Sequence, residues 1–323
     1  MISLFKDRSA VSVFWLIIIC FGLHTSSLLH APDIIISPAD GYFYYILQPL
    51  KNAQPYFISL LFILLIFLLA MQLNFMLNAL HMFPKQTNTA ALAFLLFSAL
   101  LPQFNVLSTA LFACNLFIWI LYSACRLYAA PNPKTSIFNF GMLCGFSILL
   151  YYPMLPLIII ALLALVIMRS FRINEWFVLF FGLITPAYFL ASYLFLTGNL
   201  KFLPKPLQIF DIIQLPVPPI MFIITFAVST LIILWGIFSV QSSGINALIQ
   251  VRKSWSVFFI AMLLLLPAVF FIKEAYPLVL LLVILPGAAY TGYAFASSRN
   301  ILPVIFFWVL LGLSIYNNWF AKY

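Results

Sequence analysis

Residues 56–81, YFISLLFILLIFLLAMQLNFMLNALH, contain no Asp, Glu, Lys or Arg. A charge-free run of this kind exceeds the roughly 20 apolar residues that a helix needs to cross a hydrocarbon core of about 30 Å. Similar runs recur along the chain. Hydrophobic residues make up 66% and charged residues 7%, where an ordinary soluble domain is about a quarter charged. A soluble fold would need a polar shell, and this chain has no residues to build one. Its surface faces lipid. The runs are continuous rather than alternating in stretches of about ten residues, so the spanning elements are helices and not barrel strands. The expected class is all-α, a polytopic integral membrane helical bundle.

Charge and proline punctuation divide the chain into about eleven apolar segments, at 11–29, 56–81, 88–102, 105–125, 138–151, 154–168, 175–196, 219–240, 255–272, 277–296 and 301–318. The pairs 88–102/105–125 and 138–151/154–168 have short links and read as tight hairpins or re-entrant pairs. With the N-terminus inside, Lys6, Arg8, Lys85, Arg126, Lys134, Arg169, Arg172, Arg252, Lys253 and Arg299 face the cytoplasm. Lys51, Lys201, Lys205, Lys273 and Lys322 face outward. That asymmetry obeys the positive-inside rule and predicts an inner N-terminus and an outer C-terminus. No repeat or linker divides residues 1–323, which read as a single membrane domain with a long outer loop at about 197–219.

The net charge of +9 does not signal nucleic acid, because the basic residues sit singly or in pairs between apolar runs. Cys20, Cys114, Cys125 and Cys144 all fall inside apolar segments without metal-ligand spacing, and read as small apolar side chains. Lys6 and Arg8 precede an apolar run, as in a signal peptide. No A-x-A pattern follows, so the first span is expected to stay uncleaved.

Asp33 and Asp40, two of only six acidic residues, stand in the first outer loop, APDIIISPADGYFYYILQPLK. Two readings stand. In the first, Ser37 caps a helix, Pro38 occupies its first position and Asp40 completes a near capping box. The helix would cover about 38–50 and lie on the outer leaflet, with Tyr42, Tyr44 and Tyr45 at the lipid boundary. In the second, a loop carboxylate is a catalytic base.

The cytoplasmic start, the Asp-bearing first outer loop and the run AALAFLLFSALLP together loosely resemble GT-C glycosyltransferases. The resemblance implies that Asp33 or Asp40 activates an acceptor and that the sugar arrives on a polyprenyl phosphate. Lys201 and Lys205 would stabilise the departing phosphate. The chain is shorter than most such enzymes and lacks the soluble outer domain that many carry.

A second resemblance covers residues 87–198. There NTAALAFLLFSALLPQ, ACNLFIWILYSACRLY and the run from IFNFGMLCG to YLFLTG follow one another with short links. This order is similar to an uncharacterised multi-pass family, a domain of unknown function typical of Bacteroidetes. It implies an inner-membrane protein of a Gram-negative cell and brings no catalytic residues.

Two polar clusters stand out. Asn74, Asn78 and His81 follow i, i+4, i+7 spacing and share a helix face, with Gln72 nearby. They would line a headgroup or ion site, or bond between helices. Arg169, Arg172, Glu175 and Trp176 in MRSFRINEW would hold an anionic lipid or anchor a hairpin. Prolines 153, 156, 186, 267, 286 and 303 lie in or beside spans, as in transporters with broken helices. No charge falls near the centre of any span, which disfavours ion-coupled transport. Walker, GxGxxG, HExxH, GxSxG and CxxC motifs are absent, and no cofactor or metal site is expected. Three functions remain open: a non-enzymatic component of envelope biogenesis or assembly with an envelope-protein partner, a GT-C-like transferase, and a lipid or small-molecule transporter.

Overall fold

In the structure, a computed structural model, residues 2–35, 40–42, 47–199, 219–243, 248–271, 276–297 and 301–320 are described. They form helices α1 (Ala10–Leu23), α2 (Thr25–Leu29), α3 (Pro55–Ala79), α4 (Thr89–Ser98), α5 (Thr109–Arg126) and α6 (Pro133–Leu150). The second half adds α7 (Leu157–Met168), α8 (Ile173–Leu196), α9 (Ile220–Ser243), α10 (Ile249–Phe271), α11 (Tyr276–Ser297) and α12 (Leu302–Trp319). Two short strands, β1 (Asp33–Ile34) and β2 (Val106–Leu107), pair in parallel. The all-helical membrane class holds.

Among the described residues seven helices, α3, α5, α8, α9, α10, α11 and α12, are long and apolar enough to cross a bilayer. Helices α1 and α4 and the segment Tyr152–Met168 are apolar but shorter. Length and composition thus carry seven spans, against the eleven segments read from the sequence. The shortfall falls on short helices and on α6, which opens with Pro133 and Lys134 and carries Asn139.

Local chemistry sets the helix boundaries. Ser9 and Ser12 form a reciprocal capping box at α1, with Ser12 N donating to Ser9 Oγ at 3.1 Å and Ser9 N to Ser12 Oγ at 3.3 Å. Proline occupies the first turn of α3, α6 and α12, where its missing N–H costs nothing. Pro186, Pro267 and Pro286 lie inside α8, α10 and α11. Neighbouring helices in a membrane bundle tolerate such breaks.

The centre of the bundle is α4. All ten of its residues are buried, so it touches protein on every side. It packs on α11, itself almost wholly buried from Leu278 onward. The last carbonyls of α4 lack intrahelical donors, as at any helix end. Asn318 Nδ2 donates to Ala99 O at 2.7 Å, and Asn317 Nδ2 to Leu100 O at 2.8 Å. Thus α12 closes the end of α4.

Helix α8 lies at the edge and rests mainly on α6. Gly141 meets Gly182 there and Gly145 meets the backbone of Leu183, and a Cβ on Gly141 would lie 2.7 Å from Leu179 O. Only glycine lets these backbones touch, the small-xxx-small mode of membrane helix packing. Phe177, Phe181, Tyr188 and Phe195 of α8 point outward, an apolar surface suited to lipid.

We call the end of the bundle where α1 starts and α3 and α5 finish the amino-terminal face. The other end, carrying residues 24–35, 40–42, 47–54, 99–109 and 151–156, is the loop face.

Candidate functional site

The loop face gathers the carboxylates singled out in the sequence. β1 pairs Asp33 with Val106 and Ile34 with Leu107, which lays the first loop along the approach to α5. Asp33 stays exposed. Asp40 arrives over the first turn of α5 and is 7% exposed. Ser108 is the N-cap residue of α5 but makes no side-chain cap. Thr109, at the first helical position, donates its hydroxyl to Asp40 Oδ1. The carboxylate thus meets the positive end of an 18-residue helix.

The same loop is fastened to the break between α6 and α7. Asp40 forms an antiparallel β-bridge with Tyr151, and Gly41 N donates to Leu150 O at 2.9 Å. A Cβ on Gly41 would overlap the carbonyl of Leu149, so the chain passes here only as glycine. Pro153 in the turn Tyr152–Met154 interrupts the helix, freeing extended backbone at Tyr151 to accept the bridge. The Tyr151 side chain is 1% exposed, and its hydroxyl has no partner. It lies within electrostatic reach of the Asp40 carboxylate and of Cys114.

The interfacial helix over 38–50 falls partly outside the described residues. What is described is Asp40 in a β-bridge and a 3-10 turn at Gln48–Asn52. Ser37 and Pro38, its expected start, lie outside the described residues, as do Lys201, Lys205 and most of the 197–219 loop. The sequence marked Asp40 but not Thr109 or Tyr151, because its partners stand 69 and 111 positions further along.

At the amino-terminal face, Asn74 and Asn78 bond to the link between α3 and α4. Asn78 Nδ2 donates to Thr87 O at 2.8 Å and its Oδ1 accepts from Thr87 N at 3.1 Å. Asn74 Nδ2 donates to Asn88 Oδ1 at 2.8 Å. Thr89 Oγ1 reaches Gly292 O of α11 at 2.8 Å. His81 takes no part, because α3 ends before it and its backbone turns to φ 54°.

The second polar cluster anchors a hairpin. Arg169 grips Glu175 with two bonds, Nε to Oε2 at 2.9 Å and Nη2 to Oε1 at 3.1 Å, and donates to Leu127 O at 3.1 Å.

Two clefts open toward the amino-terminal face. One, about 790 Å³, lies among α9, α10, α11 and residues 81–84, with Arg252 and His81 in its wall. Its hydroxyls are largely spent: Tyr290 OH bonds Trp255 O and Ser243 Oγ bonds Tyr293 OH, each at 2.7 Å. The other, about 630 Å³, lies among α1, α3 and α5. Neither includes Asp33 or Asp40. Among the described residues no cluster of three His, Cys, Asp or Glu can hold a metal, and all four cysteines are buried and unpaired.

Searches against family models, curated proteins and solved structures returned no match.

Proposed function

We propose that this chain is a non-enzymatic component of envelope biogenesis or assembly, embedded in the bacterial inner membrane, in which Asp40 fastens the first outer loop. The observation that supports this is the environment of Asp40. Its backbone is bridged to Tyr151, its carboxylate takes the Thr109 hydroxyl, and Gly41 beside it is packed against backbone. A catalytic base must be reachable from its substrate. We further propose eleven crossings with the N-terminus inside, counting α1 with α2 as one. Contacts that bring non-successive helix ends to a common side support the count: Asn88 with Phe5, Asn105 with Ser26 and Asn318, Arg169 with Leu127, and Ser243 with Tyr293.

The GT-C-like transferase is the second reading. It draws on the unspent Tyr151 hydroxyl beside Asp40. Among the described residues, eight of the ten buried polar atoms without a partner lie toward the loop face: those of His24, Ser27, Gln103, Asn105, Ser108, Ser147, Tyr151 and Asn317. Buried unpaired groups cluster where proteins do chemistry or bind polar ligands.

An isosteric change separates the readings. Asp40→Asn keeps an oxygen for Thr109 and removes the charge. As a fastener, it should complement a deletion strain and melt like the parent, while Asp40→Ala melts lower. Loss of complementation by Asp40→Asn at unchanged melting temperature, together with sugar release from a labelled polyprenyl-phosphate donor by the parent, would establish the transferase instead.

A further inference from the structure

The groove among α1, α3 and α5 carries polar atoms that the fold does not use. Its apolar wall is Leu64, Phe67, Leu68, Met71 and Phe75 of α3, facing Trp119 of α5. From Leu64 to Phe75 the helix rises about 16 Å, at about 1.5 Å per residue. That is a lengthwise channel for an alkyl chain. Arg8 stands at the amino-terminal end, and Gln72, Asn74 and Asn88 also line the groove.

The hydrogen bonds fix how these amides point. The Ser12 hydroxyl donates to Ser9 O at 2.8 Å, so toward Asn88 it acts as acceptor and receives Asn88 Nδ2 at 2.5 Å. Asn88 Oδ1 is therefore turned to Asn74 and receives its Nδ2 at 2.8 Å. Asn74 Oδ1 is left over, on a residue 3% exposed, with no donor. Gln72 Oε1 is likewise buried without a donor. A buried carbonyl oxygen left unpaired costs free energy that a ligand donor would recover.

We infer that this groove binds an aminophospholipid. One acyl chain lies along Leu64, Leu68 and Phe75, the phosphate meets Arg8, and the primary ammonium donates to Asn74 Oδ1. Gln72 Oε1 is a second acceptor in the same groove. An ammonium fits because it offers three donors and no acceptor. Arg8 is the groove's one cation and faces the phosphate, and with no carboxylate in the lining the ammonium is left to the unpaired amide oxygens. The inference is independent of the role of Asp40.

The test is native mass spectrometry of the delipidated full chain, titrated with dioleoyl phosphatidylethanolamine, phosphatidylcholine and phosphatidylglycerol. Phosphatidylcholine shares the phosphate and chains but has no N–H. We expect phosphatidylethanolamine to bind roughly tenfold more tightly than either of the others, the scale of one hydrogen bond to a charged group. Leu68→Trp, which fills the groove from the lipid side, should abolish the preference, and Arg8→Gln should weaken it. Equal binding of phosphatidylethanolamine and phosphatidylcholine overturns the ammonium assignment. A preference that survives Leu68→Trp in a protein with the parent melting temperature overturns the location.

Discussion

The amide of Gly41 donates to the carbonyl of Leu150 at 2.9 Å, joining the first loop to the break between α6 and α7. That bond brings two segments more than a hundred residues apart close enough that a single added carbon at Gly41 collides with backbone. Gly41→Ala should therefore destabilise the protein by about 1–3 kcal/mol, the usual cost of overpacking. The drop should appear in the melting temperature in detergent, with faster proteolysis of residues 31–53 than in the parent.

Tyr151 tests the opposite sign. Its hydroxyl is buried without a partner, and desolvating an unpaired hydroxyl costs about 1–3 kcal/mol on mutational scales. Tyr151→Phe should leave the melting temperature unchanged or raise it, while Tyr151→Ala should lower it sharply by opening a cavity. A loss of stability in Tyr151→Phe would mean the hydroxyl is bonded.

The ion pair between Arg169 and Glu175 is enclosed, with side chains 16% and 5% exposed. Removing one member strands the other, and such losses run to about 3–5 kcal/mol for buried pairs. Glu175→Ala and Arg169→Ala should each destabilise strongly, and Arg169→Leu with Glu175→Leu together should cost less than either. A double-mutant cycle on melting curves checks this, and salt should barely alter it.

Helix α8 depends on the glycine contact with α6. Gly145→Val should separate the two backbones and loosen α8 selectively. Hydrogen exchange should then rise across Ile173–Leu196 and stay low in α4 and α11. Uniform loosening of the whole bundle would argue that α8 is held elsewhere.

Asp33→Cys tests which side of the membrane holds the loop face. Asp33 is exposed, and all four native cysteines are buried, so the new thiol should label without background. An impermeant maleimide should modify it on intact spheroplasts. Labelling only after lysis would place the loop face inside.

The helical membrane class was legible because charge scarcity leaves a chain no other surface. The span count was less so. Residues 88–102 looked short for a bilayer, and α4 is short because it touches only protein, where the hydrocarbon-thickness criterion does not apply. Asn74 and Asn78 were correctly grouped by helical spacing, but His81 was carried into the group by a periodicity that ends at Ala79. Asp40 stood out for its rarity. Its partners did not, because Thr109 and Tyr151 look like ordinary residues until a distant segment reaches them. The Gly141–Gly145 spacing is a small-xxx-small packing signal carried by the sequence itself. Asn317 and Asn318 offered only a polar pair near the chain end, and nothing local says that they close α4.

The enclosure of α4 bears on how the chain is made. Too short to partition into lipid by itself, it acquires its hydrogen bond to Gly292 only after another 203 residues have left the ribosome, about 10–40 s at ordinary elongation rates. Until then the nascent protein carries an unfinished middle. Truncation anywhere before α11 should deliver it to membrane quality control rather than yield a smaller working form.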